Sequence, residues 1–132
     1  MVCDRRGDPI GTVLSPGQNH ESKYFVQAME TACGLDKDGS LLNKPGAVSG
    51  DKAYSSEAIR QWMASREIQD VVPTKTNETR KENFDKDMYK ERNVIERCFG
   101  WLKENRRIAT RFEKLGVHYL AMLQLAMIMR RL

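Results

Sequence analysis

Apolar positions alternate or cluster in short runs through the first half of the chain and fall into a helical rhythm in the second. Ile10-Gly11-Thr12-Val13-Leu14 is rich in strand formers and follows the turn-forming Arg6-Gly7-Asp8-Pro9, so residues 1–14 read as two short strands around that turn. Beyond the loop Ser15-Pro16-Gly17-Gln18-Asn19, the residues Tyr24, Phe25, Ala28, Met29 and Ala32 recur at helical spacing, and Gly34 is placed to stop the helix. Residues 36–45 are polar, broken by glycine and proline, and read as loop. A short strand, Ala47-Val48-Ser49-Gly50-Asp51, then ends in a carboxylate. Ser55 or Ser56 can cap a helix whose Ala58, Ile59, Trp62 and Met63 share one face, and residues 68–72 form a further strand ended by Pro73. Strand, helix, strand, helix, strand in that order predicts an α/β domain.

Residues 74–83 have no apolar rhythm and read as a mobile, linker-like stretch. A long helix is expected from about Asp85 to Asn105 and a second from about Val117 to the end, joined by the basic connector Arg106-Arg107-Ile108-Ala109-Thr110-Arg111. The chain therefore divides into an α/β portion at 1–73, a linker-like piece at 74–84 and a helical portion at 85–132. Residues 117–129 are apolar apart from His118 and Gln124, yet fall short of the roughly 20 residues that span a bilayer, so a buried or partner-facing helix is expected and no membrane. Met122, Met127 and Met129 read as core.

Composition narrows the function. With 132 residues, 40% hydrophobic and 30% charged, the chain suits one globular domain with one core and little margin for a missing element. Of its 22 basic and 18 acidic residues, 12 and 8 fall within residues 75–114, leaving 10 of each elsewhere, so the entire +4 surplus is local. A local surplus points to a polyanion such as nucleic acid, or else to a solvated helix face. Three widely spaced cysteines without a Cys-x-x-Cys pair argue against zinc or a disulfide framework, and His20 and His118 read as structural for want of ligand-type neighbours. The first residues lack the apolar stretch of a secretory signal, which predicts a cytoplasmic protein.

Candidate chemistry lies on the long helix. At 100° per residue, with Tyr89 as zero, Arg92, Glu96 and Lys103 fall near 300°, 340° and 320°, a polar stripe about 60° wide. Val94, Ile95, Cys98, Phe99 and Leu102 occupy the neighbouring arc, which puts Glu96 at the border of the buried surface, partly shielded yet reachable. Arg92 and Glu96 alone make an ordinary surface ion pair. The whole pattern, Tyr89-x2-Arg92-x3-Glu96-x6-Lys103, resembles the signature of DDE transposases of bacterial insertion sequences. Gly50-Asp51-Lys52-Ala53-Tyr54-Ser55-Ser56 is similar to that family's Ala-Asp-Lys-Gly-Tyr-Asp-Ser block, and Leu14-Ser15-Pro16-Gly17-Gln18-Asn19-His20 to its Leu-Thr-Pro-Gly-Gln-x-His turn.

The resemblance covers nearly the whole chain and implies a partial ribonuclease H-like fold: a mixed sheet with flanking helices, the strand bearing the first catalytic acid missing, and a helical C-terminal third. It implies that Asp51 and Glu96 are metal ligands for Mg²⁺ or Mn²⁺, that Arg92 and Lys103 lie against DNA phosphates, and that Tyr89 positions the strand being cut. Two such ions assist in-line phosphoryl displacement, first by water and then by a DNA 3′ hydroxyl. The first aspartate of the family's triad lies upstream of the matched segment, and Asp4 matches a position near a turn. A metal is therefore expected only when that acid is restored, and this chain alone is expected to be inactive. Arg106, Arg107, Arg111 and Lys114 form either a DNA-backbone patch or a solvated connector. The functional expectation is a fragment of a nucleoid-associated transposase that cleaves and joins DNA, working as a homo-oligomer or with an upstream segment. The alternative is a non-catalytic DNA-binding or regulatory fragment that associates with full-length transposase.

Overall fold

The fold begins at a side-chain-organised turn. Asp4 Oδ1 accepts from the backbone amides of Arg6 at 3.0 Å and Asp8 at 2.9 Å, and Gly7 adopts φ +88°, a conformation that L side chains resist. The chain thereby reverses between β1 (Val2–Cys3) and β2 (Pro9–Gly11), which pair antiparallel with Val2 opposite Gly11. The second strand is shorter than expected, because a two-residue partner leaves Thr12, Val13 and Leu14 nothing to pair with. The computed structural model describes all residues except 33, 36, 37, 40, 43, 80, 111 and 112.

A 3-10 turn at Glu21–Tyr24 leads into α1 (Phe25–Thr31), as the apolar spacing predicted. The end of α1 presses on β2 so closely that a Cβ on Gly11 would lie 2.8 Å from the Ala32 Cα. An antiparallel pair follows, β3 (Gly34–Leu35) with β4 (Leu41–Leu42), with Gly39 between them at φ +84°; β3 begins at the glycine expected only to stop the helix, and β4 lies inside the stretch 36–45 expected to be loop. Leucines on either side of a glycine turn supply short strands that the polar composition of the segment had obscured.

The βαβ unit follows the sequence closely. β5 (Ala47–Ser49) and β6 (Gln69–Val71) are parallel, with Val48 opposite Asp70, and α2 (Glu57–Ser65) crosses between them. Ser56 is the cap, its hydroxyl accepting from the Ile59 amide at 3.3 Å. Met63 (0% exposed) and Ile59 (4%) face inward and form a core with Phe25, Ile68 and Val72. Each such side chain contributes roughly 1.5–3 kcal/mol on burial. The described strands form three separate two-stranded sheets where the resemblance implied one mixed sheet.

Within the stretch that is linker-like in composition, Lys75, Glu78 and Lys81 are fastened to this unit. Glu78 Oε2 accepts from the Ser55 hydroxyl at 2.6 Å, Arg60 Nη2 at 2.7 Å and the Lys75 amide at 3.0 Å, while Lys81 pairs with Asp70 and donates to the Val72 carbonyl at 2.7 Å. The Ser55 hydrogen bond first, then the Lys75 amide and Arg60, pull the Glu78 carboxyl from its ordinary 4.5 down to about 2. A depressed folded-state value stabilises the fold above the ordinary pKa, and that contribution is lost as pH falls through the window from 4.5 to about 2. Glu78→Gln should therefore melt below wild type at neutral pH, with the gap closing near pH 2; thermal scans giving the same gap at both ends would contradict it.

The helical portion comprises α3 (Lys86–Lys90), α4 (Asn93–Glu104), α5 (Arg106–Thr110) and α6 (Gly116–Arg131). Asp85 caps α3 by accepting from the Met88 amide at 2.9 Å. Cys98, Leu102, Ile108, Leu123 and Ala126 form a second core, which also receives Met1 and Cys3 from the opening hairpin. The hairpin is pinned there by a two-pronged Arg5–Glu91 bond, both contacts 2.7 Å, and by Arg130 placed 3.6 Å from Asp8 with its guanidinium 5.1 Å over the Trp101 ring. The methionine run is not all core, since Met129 is 69% exposed on α6. Among the described residues no helix is long and apolar enough to cross a membrane.

Candidate functional site

Asp51 is set by the end of β5. Its backbone is extended, and its side chain caps the 3-10 turn Lys52–Tyr54, Oδ1 accepting from the Ala53 amide at 2.9 Å. The turn delivers Tyr54 back over the sheet, where a Cβ on Gly50 would meet its ring at 3.2 Å. The Tyr54 hydroxyl donates to Glu21 Oε2 at 3.2 Å, and burial, aided by the charges of Glu21 and Asp51, pushes the phenol up to about 12. Asp51 thus stands near a tyrosine whose hydroxyl is engaged by Glu21.

The other half of the predicted site crosses a helix junction. The long helix expected from residue 85 to 105 is broken after Lys90: Arg92, Val94 and Ile95 amides donate three residues back, to Tyr89, Glu91 and Arg92 carbonyls, each at 3.1 Å. No proline or glycine marks this break. Glu91 is instead drawn to Arg5, 86 positions away in the chain, a tertiary contact that helical periodicity does not register. The tightened turn still keeps the stripe together. Arg92 lies 5.2 Å over the Tyr89 ring and its Nη2 is 3.9 Å from Glu96 Oε1, while Phe84 supports Tyr89 at 5.4 Å between ring centroids. Glu96 is more open than predicted, its side chain 69% exposed against 32% for Arg92.

The structure therefore brings Tyr89, Arg92 and Glu96 into contact, and leaves Lys103 exposed in the last turn of α4. Arg106 and Arg107 are exposed at the start of α5, just before buried Ile108, and Lys114 is exposed before α6. None of these four cations has an ion-pair partner among the described residues; Arg111 lies outside them. No hydrogen bond or ion pair among the described residues joins Asp51 to Glu96, and none of their His, Cys, Asp and Glu side chains form a group of three able to hold a metal ion. Asp4 is engaged in its turn, and His118 sits 3.9 Å from Glu113. The Ser55–Arg60–Glu78 and Asp70–Lys81 contacts were invisible in the sequence, because polar side chains far apart in the chain carry no common periodicity.

Comparison with known proteins gives the class of this chain. It belongs to the DDE transposase family: the model of the transposase DDE domain matches residues 1–130. Its relatives are proteins of bacterial insertion sequences. It is 37% identical over 127 residues to a Brucella ovis protein named for the transposase of insertion sequence element IS6501, covering 95% of this chain and 89% of that one. It is 28% identical over 117 residues to a Burkholderia cepacia protein named for the transposase of IS402, covering 86% of this chain. The match takes in 52% of the IS402 relative, so the chain spans about half the length of that protein and most of the other. No solved structure matches the chain.

Proposed function

We propose that the chain is the C-terminal part of a DDE transposase catalytic domain of ribonuclease H-like ancestry, with 1–73 its α/β portion and 85–132 the helical portion bearing Glu96. Its role is DNA transposition, and its partners are transposon-end and target DNA on the bacterial nucleoid. The observation that carries this reading is the Tyr89–Arg92–Glu96 stack, which keeps the family's spacing in contact even where the helix breaks. Arg92, spread over the Tyr89 ring, presents a planar cation suited to a phosphate, and Lys103, Arg106 and Arg107 extend that charge along the helices.

Divalent metal chemistry is the family's means of cleaving DNA, and Mg²⁺ or Mn²⁺ would take hard carboxylate oxygens. The described residues do not fit such an ion by themselves: Asp51 is occupied in capping Ala53, Glu96 is open and paired with Arg92, and no third ligand joins either. On this reading the isolated chain binds DNA without cutting it. Incubated with supercoiled plasmid and Mg²⁺, it should leave the plasmid intact; robust nicking that vanishes on Asp51→Ala or Glu96→Ala would overturn this.

A second reading, a regulatory fragment that joins full-length transposase, is favoured by the exposed apolar side chains of α6, Leu125 at 61%, Ile128 at 57% and Met129 at 69%. Added to active transposase, such a fragment lowers strand transfer in proportion to its concentration.

A further inference from the structure

A cleft of about 320 Å³ is lined by Lys52, next in sequence to Asp51, and by Thr74, Lys75, Thr76 and Glu78. Its volume is at the lower end of the range, roughly 300–1,000 Å³, in which small ligands are held. Lys52 and Lys75 are exposed, and neither side chain has an ion-pair partner among the described residues. The one acid in the lining is already committed, since Glu78 accepts from Ser55, Arg60 and the Lys75 amide. Its charge is answered by Arg60 from behind, which leaves the cleft with two uncompensated ammonium groups.

Two like charges on one small concavity repel each other until an anion enters. The threonine hydroxyls can donate to the oxygens of that anion, as hydroxyl side chains commonly do at DNA phosphates. The walls are also held in advance. Glu78 closes the turn carrying residues 74–76 and ties it to Arg60 on α2, while the Asp51 cap fixes the start of the turn carrying Lys52. A preorganised cationic cleft one residue from an acid assigned to DNA chemistry calls for a ligand with a phosphate.

We propose that this cleft seats a phosphodiester of a DNA strand, with Lys52 and Lys75 as its two cationic contacts, and so delivers the strand to Asp51. The assignment rests on the reading of Asp51 as an acid facing DNA. Binding of a fluorescein-labelled DNA duplex to the full chain, followed by anisotropy without metal across a salt series, tests it. Relative to wild type, Lys52→Gln and Lys75→Gln should each lower the slope of log K against log salt by about 1, and the double variant by about 2. Lys52→Arg with Lys75→Arg should restore the slope, and circular dichroism should show each variant folded. Salt-dependent binding with an unchanged slope in the folded double variant would overturn this cleft alone and leave the DNA reading standing. Absence of any salt-dependent binding by wild type would overturn both. Inorganic phosphate is the second arm: displacement of the duplex from wild type but not from the double variant at constant ionic strength shows that the two compete for the cleft and supports the assignment. Phosphate that binds wild type but not the double variant without displacing the duplex means that the cleft takes free phosphate, and the DNA-strand assignment fails.

Discussion

Replacing Met63 with alanine should cost the chain about 2–5 kcal/mol of folding stability. Met63 is wholly buried at the centre of the βαβ core, against Phe25, Ile59, Ile68 and Val72. The side chain comes from α2, whose two ends are both constrained: Ser56 caps the first turn, and the Ile68 amide donates to the Met63 carbonyl at 2.9 Å as the chain turns into β6. Such a frame cannot collapse into the space left, so the cavity penalty adds to the lost burial. A domain of this size holds only about 5–15 kcal/mol in total, so the loss is a large share. The measurement is a urea titration, in which the midpoint falls while the slope stays constant. A shift worth less than about 1 kcal/mol would mean that the core is looser than its packing implies.

Neutralising the α5 cations should produce the largest change in DNA binding. Arg106 and Arg107 stand on a five-residue helix anchored by buried Ile108, whose carbonyl accepts from the Tyr119 hydroxyl at 3.1 Å, and Lys114 follows before α6. All three are exposed without an ion-pair partner among the described residues, so no internal acceptor competes with a phosphate. Each cation seated on a phosphate releases about one counterion. The triple variant Arg106→Gln, Arg107→Gln, Lys114→Gln should thus lower the salt slope by roughly 3, with little effect on thermal stability because no contact of the fold is lost. Equal slopes for the variant and wild type would make this segment a solvated connector.

What could be read in the residues depended on how local the cause was. The turn at Gly7, a serine cap at 55 or 56 and the inward pair Ile59 and Met63 were legible, because each arises from neighbours within one turn of chain; the structure chose Ser56. The candidate stripe was legible for the same reason, and Tyr89, Arg92 and Glu96 do meet. The break in its helix was not, because Glu91 answers to Arg5 at the other end of the sequence. Residues 74–83 misled by composition: polar side chains signal solvent until their partners are known, and here Glu78 and Lys81 find Arg60 and Asp70.

By itself, then, the sequence determined the opening hairpin, the βαβ order of residues 47–72, the family motif and its spacing, and the concentration of positive charge, since these follow from periodicity and residue chemistry along the chain; it missed β3 and β4 and read the residues of α5 as a connector. Only the tertiary structure decided that the opening hairpin packs on the helical core, that Glu96 stands open beside Arg92, and that Lys52 and Lys75 share a cleft. Those outcomes depend on which distant surfaces meet when apolar side chains leave water, and burial is non-directional, leaving no periodic trace in the residues it joins.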